Sequence, residues 1–301
     1  MGNMVDIICA LCGKKQQVKV LYPSTFKEEN ISENIYSARR MPDKIHYRIL
    51  KCIRCGLIFS SPILSFEKVS AFYKESSCDY KDQIPYLVKI YMKIIEKIKE
   101  DLPKNPKILE VGCGNGFFIK ALVDSGVKNV FGVEPSREMA SQADSLLKNK
   151  IKVNIFKSNL FPKNSFDLIL CFHTLDHMVD PNGFIKGANL MLRKAGYVIT
   201  VVHDTEGLSA KVFGENSAIF DIEHIYLFNK KTLSEIFLRG NLKVIKVFNL
   251  INNYPLKYWV KMSGFPRPLK ELASFFIDLF GIGRIDLSIP AGNIGIIAKK
   301  P

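Results

Sequence analysis

Lys107-Ile108-Leu109-Glu110-Val111-Gly112-Cys113-Gly114-Asn115-Gly116 runs a short apolar strand directly into three glycines at alternate positions. Glycine lacks the Cβ that blocks close approach to a ligand, and it accepts the positive φ of a tight strand-to-helix turn. The continuation, Phe117-Phe118-Ile119-Lys120-Ala121-Leu122-Val123, spaces its apolar residues as a helix does. The glycines therefore lie where a helix presents its unpaired N–H groups, and a nucleotide-like ligand is the natural occupant.

Spacing selects the nucleotide. The dinucleotide pattern G-x-G-x-x-G needs a glycine at position 117, which is Phe117; the string is E-x-G-x-G-x-G. A second apolar run, residues 129–133, leads into Glu134, whose carboxylate can accept both hydroxyls of a ribose. Taken singly, the glycines fit an ordinary strand-helix turn. Residues 166–171 then form another buried strand, Asp180-Pro181 opens a helix running to Arg193, Lys194-Ala195-Gly196 closes it, and residues 197–202 make a strand.

In order and spacing this set resembles the class I S-adenosylmethionine-dependent methyltransferases. The resemblance implies an α/β fold with a Rossmann-like seven-stranded sheet, and S-adenosylmethionine as cofactor. It places Glu110, Gly112, Gly114 and Gly116 beside the methionine and ribose moieties and Glu134 at the ribose hydroxyls. It places Ser158 or Asn159 near the adenine, where many relatives carry Asp, and His173 in a loop bordering cofactor and acceptor.

Two C-x-x-C-G knuckles organise the N-terminus: Cys9-Ala10-Leu11-Cys12-Gly13 and Cys52-Ile53-Arg54-Cys55-Gly56. Four thiolates suit a tetrahedral Zn²⁺, and such a closed site is structural because no position is left for water or substrate. Disulfides are the competing reading, disfavoured in a chain that uses a soluble nucleotide cofactor. Residues 14–51 must supply strands and a loop between the knuckles. Cys78, Cys113 and Cys171 are read as unliganded, the last two buried beside the cofactor site. With Pro62 and a helix around residues 66–75, this part resembles the zinc-ribbon prefix of bacterial methyltransferases that modify small molecules and glycans. The expected division is a zinc-binding domain with linker over residues 1–78 and a cofactor-binding domain over residues 79–301.

Length and content bound the rest. A chain of 301 residues with 47% hydrophobic residues can bury a sizeable core. No run reaches the roughly 18 apolar residues of a membrane span, and the first residues lack the basic and long apolar segments of an export signal. A cytoplasmic protein is expected. Met1-Gly2 would suit lipidation, but Asp6 stands where that pattern needs Ser or Thr. The net charge of +14 points to phosphate-bearing partners such as a nucleotide-linked acceptor, an anionic lipid surface or RNA. The lysines are spread without interleaved aromatics, as on solvated helix faces.

Residues 84–98 read as an amphipathic helix packed on the sheet. Acceptor chemistry belongs at the carboxyl ends of the strands, where His173, His177, His203 and His224 gather. His177 is the first choice for a general base and His224, in an acidic-His-aromatic segment, the second; a loop histidine without chemistry is the bland alternative. Between strands at residues 242–250 and 293–298, the insert 251–292 carries Trp259, Phe265 and an apolar helix-like run at 272–280. It reads as a lid or acceptor pocket, as an extra core helix, or as a membrane-docking element flanked by Lys257, Lys261, Arg267 and Lys270.

The leading expectation is a methyltransferase for a small molecule: a sugar, a glycan or a lipid-linked precursor. An RNA methyltransferase and a scaffold that keeps the fold are the alternatives. The loop Cys171-Phe172-His173-Thr174 lacks the Asn/Asp-Pro-Pro-aromatic motif of the amino-methylating nucleic-acid enzymes, and there is no Pro-Cys pair for attack on a pyrimidine.

Overall fold

The computed structural model describes residues 4–13, 17–25, 43–75 and 81–301. The elements are, in chain order, β1 (Met4–Val5), β2 (Val18–Tyr22), β3 (Ile49–Cys52), β4 (Ile58–Ser60), β5 (Ile63–Leu64), α1 (Phe66–Glu75) and α2 (Ile84–Ile95). Then follow β6 (Lys107–Val111), α3 (Phe117–Asp124), β7 (Asn129–Glu134), α4 (Arg137–Ser141), β8 (Ile151–Val153), β9 (Phe166–Phe172), α5 (Pro181–Met191) and β10 (Leu192–His203). The remainder is α6 (Leu208–Phe213), β11 (Tyr226–Leu227), α7 (Lys230–Arg239), β12 (Lys243–Asn249), β13 (Asn252–Pro255), α8 (Leu256–Met262), α9 (Arg267–Leu279), β14 (Asp286–Ile289) and β15 (Asn293–Lys299).

Seven strands form the main sheet in the order β12-β15-β10-β9-β6-β7-β8. All pairs from β10 through β8 are parallel, and β15 runs antiparallel to both β10 and β12. All seven residues of β9 are buried, and all but Asp167 are apolar, as in a strand covered on both faces. From β6 the chain steps outward to β7 and β8, then crosses back to β9 and β10. The order thus reverses between β6 and β9, and a crevice opens at their carboxyl ends.

Helix α2 buries Leu87, Tyr91 and Ile94 on one face, as its apolar spacing requires, and Ile98 continues that stripe in a 3-10 turn. Helix α5 begins where Asp180 caps it and Pro181 occupies the first turn, but it stops at Met191 rather than Arg193. Residues 192–196 belong to β10 instead, with an irregularity where Ala195 is left-handed (φ 62°): Leu192 pairs with Phe166, and Ala195 and Gly196 exchange backbone hydrogen bonds with Lys300. The Arg193 guanidinium is drawn to Asp167 at 2.9 Å, which favours the strand over another helical turn.

A second sheet, β11-β4-β3-β2, mixes early and late chain: β11 pairs with β4 and completes it. One buried cluster runs from Cys9, Leu11 and Tyr47 through Val111, Phe184 and Phe237, so the N-terminal part and the main sheet share a core. Asn182 of α5 donates to the Ala10 carbonyl at 2.8 Å, and Arg239 of α7 donates to that of Leu11, fixing the first cysteine knuckle on the helices. The insert is a hairpin, β13 with β14, carrying α8 and α9. Its Tyr254 ring packs 5.6 Å from Tyr86 of α2.

Candidate functional site

At the end of β6 the chain turns through Gly112, Gly114 and Gly116, with φ of 74°, 56° and 73°. At Gly112 an added Cβ would lie 2.2 Å from Thr174 Oγ1, so this position is closed to a side chain by both conformation and space. Glu134 at the end of β7 holds the turn: its Oε2 accepts from Gly114 N–H and its Oε1 from Ser136 N–H, both at 2.8 Å. Each oxygen retains a further lone pair for a hydroxyl donor. Burial raises the Glu134 carboxyl to about 6, against the lowering effect of those two backbone donors.

Glu110 is buried beneath the turn, and its Oε2 has no hydrogen-bond partner among the described residues. Burial first, and the charge of Glu134 second, push its carboxyl well above the usual range. Both acids therefore hold their protons more tightly than free carboxyls do, Glu110 through burial and the Glu134 charge, Glu134 through burial.

The turn opens into a cavity of about 960 Å³, lined by Glu110, Gly112, Gly114, Glu134 and Ser158 on one side and by His173, His177, His203 and His224 on another. Gly116 is the left-handed residue preceding α3 and stands outside that lining. Of the two residues expected on the adenine side, Ser158 lies in the cavity wall and Asn159, also exposed, does not. Aromatic and aliphatic residues from α2, α6 and the insert complete the enclosure, among them Tyr91, Val212, Phe213, Tyr258 and Trp259.

The histidines gather around a residue the sequence reading passed over. Asp176 sits fully buried in the 3-10 turn after β9. Its Oδ2 accepts from His203 Nδ1 at 2.7 Å, and its Oδ1 lies 3.8 Å from His177 Nε2. Burial alone would raise the Asp176 carboxyl, but the His203 hydrogen bond and the nearby His177, His203 and His224 rings hold it far below the usual range. His203 and His224 have ring centroids 4.4 Å apart, and His177 and His224 4.8 Å apart. His224 Nδ1 donates to the Ile219 carbonyl at 2.8 Å, which leaves its Nε2 as the acceptor nitrogen. Burial holds His177 below the ordinary imidazole value, and holds His224 well below it with help from the neighbouring histidines. His173 has a left-handed backbone, φ 48°, and its N–H donates to Val201 O, so the loop is fixed against β10.

A second cluster stands in the N-terminal part. The Sγ atoms of Cys9, Cys12, Cys52 and Cys55 all lie within 4.8 Å of one another, and those of Cys9 and Cys55 are 3.4 Å apart. Sulfurs about 2.3 Å from a common tetrahedral ion would be a little under 4 Å apart, so the set fits Zn²⁺. Cys12 N–H points at Cys9 Sγ, and Gly13 and Gly56 turn with φ of 67° and 82°, as the knuckle spacing requires. Against desolvation, hydrogen bonds from the Cys55 and Arg54 backbone and from neighbouring thiols lower the Cys52 thiol to about 7, while burial raises those of Cys9 and Cys55. Cys113 and Cys171 are buried and free, and Cys78 lies outside the described residues.

A methyltransferase-domain family profile matches residues 81–247, more than half of the chain. The chain is a class I S-adenosylmethionine-dependent methyltransferase. Two solved structures share the methyltransferase fold at low identity. A putative methyltransferase from Bacillus halodurans is 18% identical, covering 70% of this chain and 98% of its own, with TM-score 0.50. A SAM-dependent methyltransferase from Archaeoglobus fulgidus is 14% identical, covering 78% and 100%, also at 0.50. Among curated relatives, the ubiquinone biosynthesis O-methyltransferase of Pelagibacter ubique is 27% identical over 188 residues, 57% of this chain and 78% of that protein. A tRNA U34 carboxymethyltransferase of Alteromonas mediterranea is 27% identical over 128 residues, 38% of each chain. The methyltransferase thus spans well under half of that tRNA-modifying relative. The cysteine knuckles and the whole insert fall outside the family match.

Proposed function

We propose that this methyltransferase acts on a small-molecule acceptor, a sugar, glycan or lipid-linked precursor, using His203 and Asp176 as its proton-accepting pair. The observation that carries this reading is the partly enclosed cavity lined both by the glycine turn and Glu134 and by four histidines. Its aromatic and aliphatic walls suit a ligand that is engulfed rather than a helical nucleic acid that is tracked along a surface.

When bound, S-adenosylmethionine supplies a methyl group already activated by its sulfonium. Glu134 would accept the ribose hydroxyls, Gly112 and Gly114 would border the methionine and ribose, Ser158 would stand near the adenine, and the unpartnered Glu110 Oε2 would face a donor. For a hydroxyl acceptor, His203 would take the proton at Nε2, because its Nδ1 proton is held by Asp176. Asp176 fixes the tautomer and balances the imidazolium that forms. His177 and His224, kept neutral by burial, would orient the acceptor, with His177 the alternative base. Zn²⁺ on the four cysteines would be structural. A cytoplasmic location accompanies the soluble cofactor and the reduced thiols.

The test is incubation of the purified chain with methyl-labelled cofactor and a library of sugar nucleotides, glycans and lipid-linked sugars, followed by mass analysis. Label transfer to one of these classes supports the reading; transfer only to RNA would replace it. The RNA reading draws on the charge of +14 and the tRNA-modifying relatives, and it requires binding that weakens steeply with salt. Failure to bind S-adenosylmethionine by calorimetry would leave a scaffold.

A further inference from the structure

Helix α9 buries Ile277 alone, while Leu269, Leu272, Phe275, Phe276, Leu279 and Phe280 along and just beyond it stay exposed, Leu279 by 63% and Phe280 by 66%. Their spacing at three and four residues puts them on one stripe, apart from the Ile277 side. Phe265, Ile282 and Ile285 extend the exposed surface at both ends of the helix. An apolar face of this extent on a soluble chain marks something that covers it.

Charge and continuity identify the occupant. The acids of α9 are neutralised within the insert, Glu271 by Arg267 and Asp278 by Lys257, each at 2.8 Å. Lys261, Lys270 and Arg284 have no ion-pair partner among the described residues, against one unpaired acid of the insert, Asp286, which accepts from the Tyr86 hydroxyl, so the net uncompensated charge around the apolar stripe is basic. Apolar centre and basic rim together match an anionic lipid surface better than a second, equally basic copy of this chain. The stripe is also continuous with the cavity. Phe265 packs its ring 5.1 Å from Phe213, a cavity-wall residue, and Met262 at the end of α8 lines the same cavity.

We propose that the α9 face docks the enzyme on an anionic lipid surface, setting the cavity mouth at the interface where an acceptor with an apolar anchor would be presented. The nature of the acceptor rests on the methyltransferase reading; the docking does not. In a flotation assay, the full chain should rise with phosphatidylcholine vesicles containing phosphatidylglycerol and stay largely behind with phosphatidylcholine alone. Phe276→Ser with Phe280→Ser should lower the partition coefficient by about tenfold or more, through lost apolar insertion. Lys261→Glu with Lys270→Glu should lower it by a similar factor at low salt and less at high salt. All these side chains are outside the cavity wall, so affinity for S-adenosylmethionine should be unchanged in each variant, which also shows that the variants fold. Three results would overturn the docking: no flotation with the anionic vesicles, equal flotation of the phenylalanine variant, or a wild-type dimer that this variant converts to monomer. Loss of cofactor affinity in wild type with flotation intact would instead sink the methyltransferase reading and leave the surface standing.

Discussion

Asp176 accepts a hydrogen bond at Oδ2 from His203 Nδ1 at 2.7 Å, so a buried carboxylate in the turn after β9 orients an imidazole at the end of β10. The pair spans two parallel neighbours at the side of the sheet where the order reverses. It leaves His203 Nε2 as the nitrogen free to take a proton in the cavity.

His203→Ala should therefore lower the rate of methyl transfer to a hydroxyl acceptor by about a hundred- to ten-thousandfold. Asp176→Asn should lose a comparable factor because the tautomer is no longer fixed. Donor affinity, measured by calorimetry, should change little in either variant, since neither residue touches Glu134 or the glycine turn. If His177→Ala abolishes transfer while His203→Ala spares it, the proton acceptor is His177.

The glycine turn and Glu134, proposed above to hold the donor, were legible because their signals are local. Three glycines at fixed offsets and an acid at the end of the next strand are written in consecutive residues, and Gly112, Gly114 and Glu134 sit together as their spacing requires. The acceptor half was legible only as a gathering of histidines. Asp176 beside His177 looks like any polar loop pair until β9 and β10 bring His203 onto it, and helix α5 separates those strands in sequence. The same holds for β11, whose pairing with β4 across most of the chain has no periodic signature. The early end of α5 depended on Lys300 hydrogen bonding to Gly196, another contact distant in sequence.

Gly112→Ala should destabilise the protein by about 1–3 kcal/mol, since the backbone is left-handed and the new Cβ meets Thr174. Adding Thr174→Ala removes Oγ1 and Cγ2 from that contact but leaves the Thr174 Cβ position 2.9 Å away and φ unchanged. The double variant should thus recover only part of the loss in thermal unfolding. Full recovery would mean that space, and not backbone conformation, sets the requirement for glycine.

Donor binding should weaken in acid because of Glu134. Its folded value of about 6 lies above its ordinary 4.5, so the folded protein holds this proton more tightly than the unfolded chain. Stability contributed by the protonated form is present at low pH and lost as pH rises through that window, by about 2 kcal/mol. Ribose hydroxyls donating to the carboxylate favour the ionised form, so binding the donor releases the proton. Affinity should then fall toward about tenfold per pH unit below the folded value. Calorimetry at about pH 5 and about pH 7.5 tests this linkage. Glu134→Gln should bind weakly at both and lose the slope; an unchanged slope in that variant would assign the proton elsewhere.

Metal removal should reach the acceptor site through the shared sheet. Strand β3 ends at Cys52 and pairs with β4, where Ser60 Oγ donates to the His224 carbonyl and Ser60 N–H to that of Ile225, each at 2.8 Å. Tyr226 of β11 donates its hydroxyl to Ile8 O at 2.9 Å, next to Cys9. Mass spectrometry of metal content should find one zinc per chain, lost in Cys52→Ser, with a lower unfolding temperature as the small sheet loosens. Because His224 hangs from that sheet while Glu134 and the glycine turn belong to the other, the variant should lose methyl transfer much more than donor affinity. Equal losses of both would show that the cysteine cluster supports the whole core, a fully active metal-free variant would uncouple the cluster from the acceptor side, and wild-type protein without zinc would overturn the metal assignment.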